Sequence, residues 1–175
     1  MVDNPPTTHP LGADALFQRL DALGIDHTTH RHPPVFTVEE AKALRGTLPG
    51  AHVKNLFLRD KKKRIWLVTA LEEREIDLKA LKRRLGAQGS LSFGTAELLL
   101  DVLGVQPGSV TPFGILNDTT KRATVILDKG ALETGPVNAH PLRNDMTTAV
   151  APDGLLRFLE AEGHAPEIID FGRPL

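Results

Sequence analysis

Three stretches of the 175-residue chain combine residue types able to act on a substrate. Lys54 and Asn55 open an apolar run, His52-Val53-Lys54-Asn55-Leu56-Phe57-Leu58. Lysine is rarely buried without a partner, so a lysine beginning a core strand lies at its exposed edge or is aimed into a cleft. Gly108-Ser109-Val110-Thr111-Pro112-Phe113-Gly114 is a loop in which glycines allow a ligand close to main-chain donors and Pro112 stiffens the path; a tight connection explains it equally. Asn138-Ala139-His140-Pro141-Leu142-Arg143-Asn144 sets one histidine and two asparagines around a proline-restricted turn, which a capped structural turn also accounts for.

The rest of the chain narrows the chemistry. There is no cysteine, so thiolate nucleophiles, disulfides and sulfur-held metals are excluded and any reaction must use oxygen, nitrogen or backbone groups. No GxxxxGK[ST], GxGxxG, HExxH or GxSxG pattern occurs. His27, His30 and His32 are close in sequence, but on a strand His30 and His32 share one face while His27 points to the other, so no metal is expected. No apolar run reaches the roughly 18–20 residues of a membrane span, and Met1-Val2-Asp3-Asn4-Pro5-Pro6 lacks the pattern of a signal peptide, giving the expectation of a cytoplasmic protein without membrane partners.

Charge is distributed unevenly. Between Lys54 and Arg84 eleven basic residues face five acids, a local +6 in a chain whose total is −1. Such a segment attracts a polyanion, or is simply a solvated hairpin tip and helix face.

These residues need elements to hold them. Hydrophobic residues make up 41% of the chain and Gly and Pro number 15 and 13, the composition of a globular domain. Residues 1–11, with three prolines, read as a flexible arm, and 12–175 as one domain. Leu16, Leu20 and Leu23 have helical spacing stopped by Gly24; 25–31 reads as a strand; Thr37 with Glu40 forms a capping box for a helix ending near Gly46. Residues 53–59 and 64–70 form a hairpin with the basic tip Asp60-Lys61-Lys62-Lys63, followed by a helix capped by Asp77 and stopped by Gly86, and another over 95–103. Residues 110–128 read as strand-like, most clearly at 123–127; 147–150 is a further strand, Pro152 opens the last helix, and 167–171 closes as a strand. Adjacent strands often lack an intervening helix, so the fold class is α+β with a mixed sheet.

The run Lys54-Asn55-Leu56-Phe57-Leu58, the GxxxP element from Gly108 to Pro112 continuing to Asp118, and Asn138-Ala139-His140-Pro141-Leu142 occur in the order seen in YbaK/ProX-type aminoacyl-tRNA editing domains. The resemblance spans His32 to Phe171. It is nearest to the freestanding ProX (PrdX, ProXp-ala) branch, related to the editing insertion of bacterial prolyl-tRNA synthetase. It implies a mixed, mostly antiparallel sheet curled into a partial barrel with surrounding helices. It also implies a cofactor-free carboxylic ester hydrolase that deacylates mischarged tRNA, with alanine on proline tRNA the usual substrate. The family's lysine falls on Lys54, with Asn55 beside it; its GxxxP loop falls on Gly108 and Pro112, and its late histidine on His140.

An aminoacyl ester is already reactive, so the site must place water and stabilise an oxyanion rather than build a nucleophile. On this reading Lys54 anchors the phosphate of the terminal adenosine, and Asn55 hydrogen-bonds substrate or water. Amides of Gly108, Ser109, Val110 and Thr111 face the developing charge, with Pro112 shaping the loop. His140 orients the amino group or water, and the substrate's ribose hydroxyl takes the proton. A pocket walled by Val35, Phe36, Leu56, Phe113 and Ile115 admits alanine and refuses proline. This is a double sieve, needed because a missing methylene changes binding by only ~1–3 kcal/mol. The expected partners are the 3′ acceptor end of aminoacyl-tRNA and, secondarily, prolyl-tRNA synthetase. The alternatives are a deacylase for tRNA carrying cysteine or serine, or a noncatalytic RNA- or synthetase-binding module.

Overall fold

The protein is described by a computed structural model covering residues 10–34, 37–45 and 48–175. Val35 and Phe36, expected as pocket walls, and most of the N-terminal arm lie outside the described residues. Leu11 is already tied to the body: its amide donates to Asn117 Oδ1 at 2.7 Å, and Asn117 Nδ2 donates to its carbonyl at 3.0 Å.

The elements follow in chain order as α1 (Ala13–Ala22), β1 (His27–Arg31), α2 (Val38–Arg45), β2 (Ala51–Arg59), β3 (Ile65–Leu71), α3 (Leu78–Leu85), β4 (Ser92–Phe93), α4 (Ala96–Leu103), a 3-10 helix (Pro112–Asn117), β5 (Ala123–Asp128), α5 (Lys129–Glu133), β6 (Val137–Ala139), β7 (Met146–Val150), α6 (Pro152–Ala161) and β8 (Glu167–Ile169). Local chemistry sets several boundaries. Asp77 accepts from the amides of Lys79 and Ala80, and Thr95 from that of Leu98, which satisfies helix N-termini that otherwise leave donors unpaired. The Glu40 amide donates to Thr37 Oγ1 at 3.1 Å, one half of the expected capping box. Among the described residues no helix is long and apolar enough to cross a membrane.

The strands form one mixed sheet in the order β1-β7-β6-β2-β3-β5-β8, with β4 pairing β2 beside this path. Pairings β1/β7, β6/β7, β2/β3 and β2/β4 are antiparallel, and β2/β6, β3/β5 and β5/β8 are parallel. This is the expected α+β class. The central strand β3, Ile65-Trp66-Leu67-Val68-Thr69-Ala70-Leu71, is buried at every residue, as a strand covered on both faces must be. Its two faces feed two apolar clusters. One gathers Phe57, Leu67, Val125, Leu127, Phe113, Ile115 and Phe158; the other gathers Leu58, Trp66, Val68, Ile126 and Leu81 of α3.

Two segments depart from the sequence reading. Residues 112–117 are a 3-10 helix rather than strand. Pro112 fixes φ at the first helical position, and Thr111 Oγ1 accepts from the Phe113 amide at 3.3 Å, so capping chemistry overrides the apolar run. Residues 137–139, not read as a strand, form β6 because both neighbours supply a ladder: β7 on one side and the start of β2 on the other.

Candidate active site

β2 leaves β6 after two paired residues, Ala51 with Val137 and His52 with Asn138, and continues against β3, with β4 joining only at Leu58 and Arg59. Lys54 lies two positions past that divergence. Side chains alternate along a strand, so Lys54 shares its face with Leu56 and Leu58, which pack toward α3, while Val53 and Phe57 face the first cluster. Asn55 also takes the opposite face, where its Oδ1 accepts from Thr69 Oγ1 at 2.6 Å. The two residues that were read together therefore serve different sides of the sheet.

The half-buried Lys54 ammonium donates to the carbonyl of Arg74. Arg74 sits in the turn after β3, and that turn is clamped by Asp128, the fully buried last residue of β5. Asp128 Oδ2 accepts from Arg74 Nε at 3.0 Å and from the Leu71 amide at 3.1 Å, while Oδ1 caps α5 through the Gly130 amide at 3.0 Å. The hydrogen bond to Asp128 raises the Arg74 pKa further above its already high value, so this cation is permanent. Neither residue was singled out in the sequence. Asp128 left a signal, an acid ending a confident strand just before Lys129-Gly130; Arg74, within Glu72-Glu73-Arg74-Glu75, left none.

His140 follows β6 directly, one residue past Ala139, the last residue of that strand. Its Nδ1 bonds the Met146 carbonyl at 2.8 Å. A carbonyl can only accept, so Nδ1 carries the hydrogen and the neutral ring presents the Nε2 lone pair. Burial pushes the His140 pKa down from the usual 6.5; the Met146 bond opposes this only in part, and nearby His32 adds to the lowering. The His32 ring centroid lies 6.2 Å from that of His140. His32 Nδ1 bonds the Pro33 carbonyl and Nε2 bonds Thr147 Oγ1, each at 2.9 Å, so this ring too is fixed with Nδ1 as donor. His27 belongs elsewhere: it bonds Asp21 and stacks on Phe17. Among the described residues no group of three or more His, Asp or Glu is arranged for a metal ion.

The loop from Gly108 to Pro112 borders the first cluster through Val110, as does Leu142, two residues after His140. Gly108 adopts φ +91°, which only glycine takes without strain. Ser109 is 8% exposed and Thr111 fully buried, and the Ser109 amide is committed to the Gln106 carbonyl at 3.0 Å. Of the expected pocket walls, Phe113 and Ile115 are core residues, Phe113 meeting Phe158 edge to face at 5.7 Å between centroids. Leu56 is half-buried on the Lys54 face, against the second cluster.

Residues 32–158 match the sequence pattern of the aminoacyl-tRNA editing domain family. A prolyl-tRNA synthetase associated domain-containing protein 1 from Danio rerio is 42% identical over 154 residues, 87% of this chain and 83% of that protein. The prolyl-tRNA editing protein ProX of Acetoanaerobium sticklandii is 36% identical over 157 residues, 89% of this chain and 95% of the other. A solved structure described as a candidate trans-editing enzyme for prolyl tRNA synthetase superposes with a TM-score of 0.70 at 23% identity, over 90% of this chain and 94% of that one; at that identity it speaks for the fold.

Proposed function

The chain belongs to the aminoacyl-tRNA editing domain family, and from that premise we propose that it hydrolyses the ester of alanine wrongly attached to proline tRNA. The observation that supports this reading is a lysine held on the Arg74 carbonyl at the first motif, together with a histidine at the third motif whose neutral ring offers Nε2.

Lys54 takes the phosphate of the terminal adenosine. An ammonium has three donors and needs one to stay on the Arg74 carbonyl. On this reading the anchored ribose presents the aminoacyl ester toward His140 and the glycine-proline loop. The Ser109 amide is committed to Gln106, so Gly108, Val110 and Thr111 are the amides assigned to the developing oxyanion. His140 Nε2 accepts from the substrate's ammonium or from the attacking water, and the vicinal ribose hydroxyl relays the proton to the leaving oxygen. Asn55, from the other face, holds β2 to Thr69 and so fixes the strand that carries Lys54. Leu56 and the loop, with Phe113 and Ile115 packed behind it, limit the acyl space. Proline is refused by size, because the synthetase's own pocket discriminates against alanine by only ~1–3 kcal/mol per missing methylene.

Deacylation of Ala-tRNA(Pro) and Pro-tRNA(Pro), side by side, tests this. Wild type releases alanine and spares proline, and Lys54→Ala loses at least about a hundredfold in rate with its melting temperature retained. Equal turnover by Lys54→Ala removes the lysine from the mechanism. Preference for Cys- or Ser-tRNA in a wider panel reassigns the substrate, and binding without hydrolysis identifies a noncatalytic module.

A further inference from the structure

The tip of the β2–β3 hairpin and the end of α3 are separate in sequence but joined in space. The join is made by Asp60, whose side chain is fully buried. Its Oδ1 accepts from the Arg64 amide at 3.0 Å, and its Oδ2 from Arg64 Nε at 2.9 Å and from the Gln88 amide at 3.0 Å. Burial alone would raise the Asp60 pKa, but these bonds outweigh it and hold the carboxylate below its usual range. The Lys61 amide donates to the Gln88 carbonyl at 2.9 Å, and an Arg64 guanidinium nitrogen to the Gly86 carbonyl at 2.7 Å. Lys61, Lys62, Lys63 and Arg64, all exposed, thus lie against the last turn of α3, which carries Lys82, Arg83 and Arg84. Arg64 and Arg84 have carboxylate partners in Asp60 and Glu167.

Two features set this ridge apart from ordinary solvated charge. Basic residues at the end of α3 complement the helix dipole, and Arg64 does so from the hairpin through the Gly86 carbonyl, but Lys61, Lys62 and Lys63 stand on the hairpin and not on that helix. Lys63 also holds φ +64°, in the left-handed region where a glycine would sit without strain. The fold keeps a cation there at a conformational cost, among three other cations that repel it.

We propose that this ridge binds the phosphate backbone of an RNA duplex, the stem adjoining the 3′ end held at Lys54. The inference rests on the reading of Lys54 given above. α3 packs on the sheet face that carries Lys54, and the end of β2, where the hairpin tip begins, lies five residues beyond Lys54, about 17 Å at strand spacing, so one substrate can span both. Lysines at a turn meet phosphates as point charges and read no base edge. The contact is therefore independent of sequence and sensitive to salt.

The test uses the full chain carrying Lys62→Gln, Lys63→Gly and Arg83→Gln. It compares misacylated tRNA with the same amino acid esterified to a 3′-terminal trinucleotide. The expected result is about a tenfold rise in KM for the tRNA and a slope of log affinity against log salt shallower by about 3. Turnover of the trinucleotide ester stays unchanged. Lys62→Gln alone, at an exposed position, gives a smaller change of the same sign should the triple variant melt early. An unchanged salt slope for tRNA overturns the proposal, as does a defect confined to binding a synthetase while free tRNA binds normally. Failure of wild type to hydrolyse either ester would instead overturn the reading of Lys54, and tRNA affinity would still decide the ridge.

Discussion

In the proposed mechanism the charge of Lys54 alone does not suffice; the shape of the donor matters. A compact ammonium can stay on the Arg74 carbonyl and still turn toward a phosphate, whereas a guanidinium is a planar fork that cannot take the same seat. Lys54→Arg, which keeps the charge, is therefore expected to lose at least about tenfold in deacylation, and wild-type rates would show that charge alone suffices. His140 makes a second prediction. It must be neutral to accept at Nε2, and burial lowers its pKa below 6.5, so the acid limb of the kcat/KM profile is expected to have its midpoint below pH 6.5 and a plateau above it. The same shift bears on stability. A histidine whose folded pKa is depressed binds its proton more readily when unfolded, so stability falls as pH drops below 6.5. In His140→Gln the limb should vanish along with most of the activity; a limb that persists assigns it to another group. The motifs that carry Lys54 and His140 were legible in the sequence, because they are short and contiguous. The state of His140 was not, since it depends on the Met146 carbonyl from another strand.

Between elements, two buried carboxylates join segments that local propensity leaves independent. Asp128 fastens the turn after β3 to the start of α5 and through Arg74 orients Lys54. Arg74→Ala is expected to raise KM for misacylated tRNA several-fold, with little further loss when added to Lys54→Ala, because the two act through one ammonium. Additive losses in that double-mutant cycle would separate them. Asp118 accepts from the Arg122 and Ala123 amides at 3.0 and 2.8 Å and from His164 Nε2 at 2.9 Å. His164 Nδ1 bonds the Glu162 carbonyl at 3.0 Å, so this pair ties the start of β5 to the end of α6. Burial alone would raise the Asp118 pKa, but its partners, His164 foremost, hold it below 3.8. The stability this contributes is present above that value and is lost as pH falls through the lower folded value. Asp118→Ala strips a buried partner from His164 and is expected to cost about 3–5 kcal/mol by denaturant unfolding at neutral pH. A loss under about 1 kcal/mol would show the pair to be incidental. Asp118 lay inside the stretch read as strand-like, and nothing in 118–123 announces a partner 46 residues away.

Across the whole molecule, residue order along the chain determined much of what the protein is. Helix periodicity and caps placed α1, α3, α4 and α6 within a residue or two; the basic tip between two apolar runs placed the β2–β3 hairpin; and the order of three motifs named the family. These are local signals, set by side-chain period, φ preference and capping chemistry within a few residues. Tertiary structure alone decided which strands pair, which side of the sheet Lys54 and Asn55 each serve, that Arg74 and Asp128 stand behind the lysine, and that the hairpin tip and α3 share one cationic ridge. Short strands such as β4 and β6 and the five-residue α5 exist because their neighbours complete their hydrogen bonds. A chain encodes such pairings only through burial and polar satisfaction over long separations, which no window of a few residues contains.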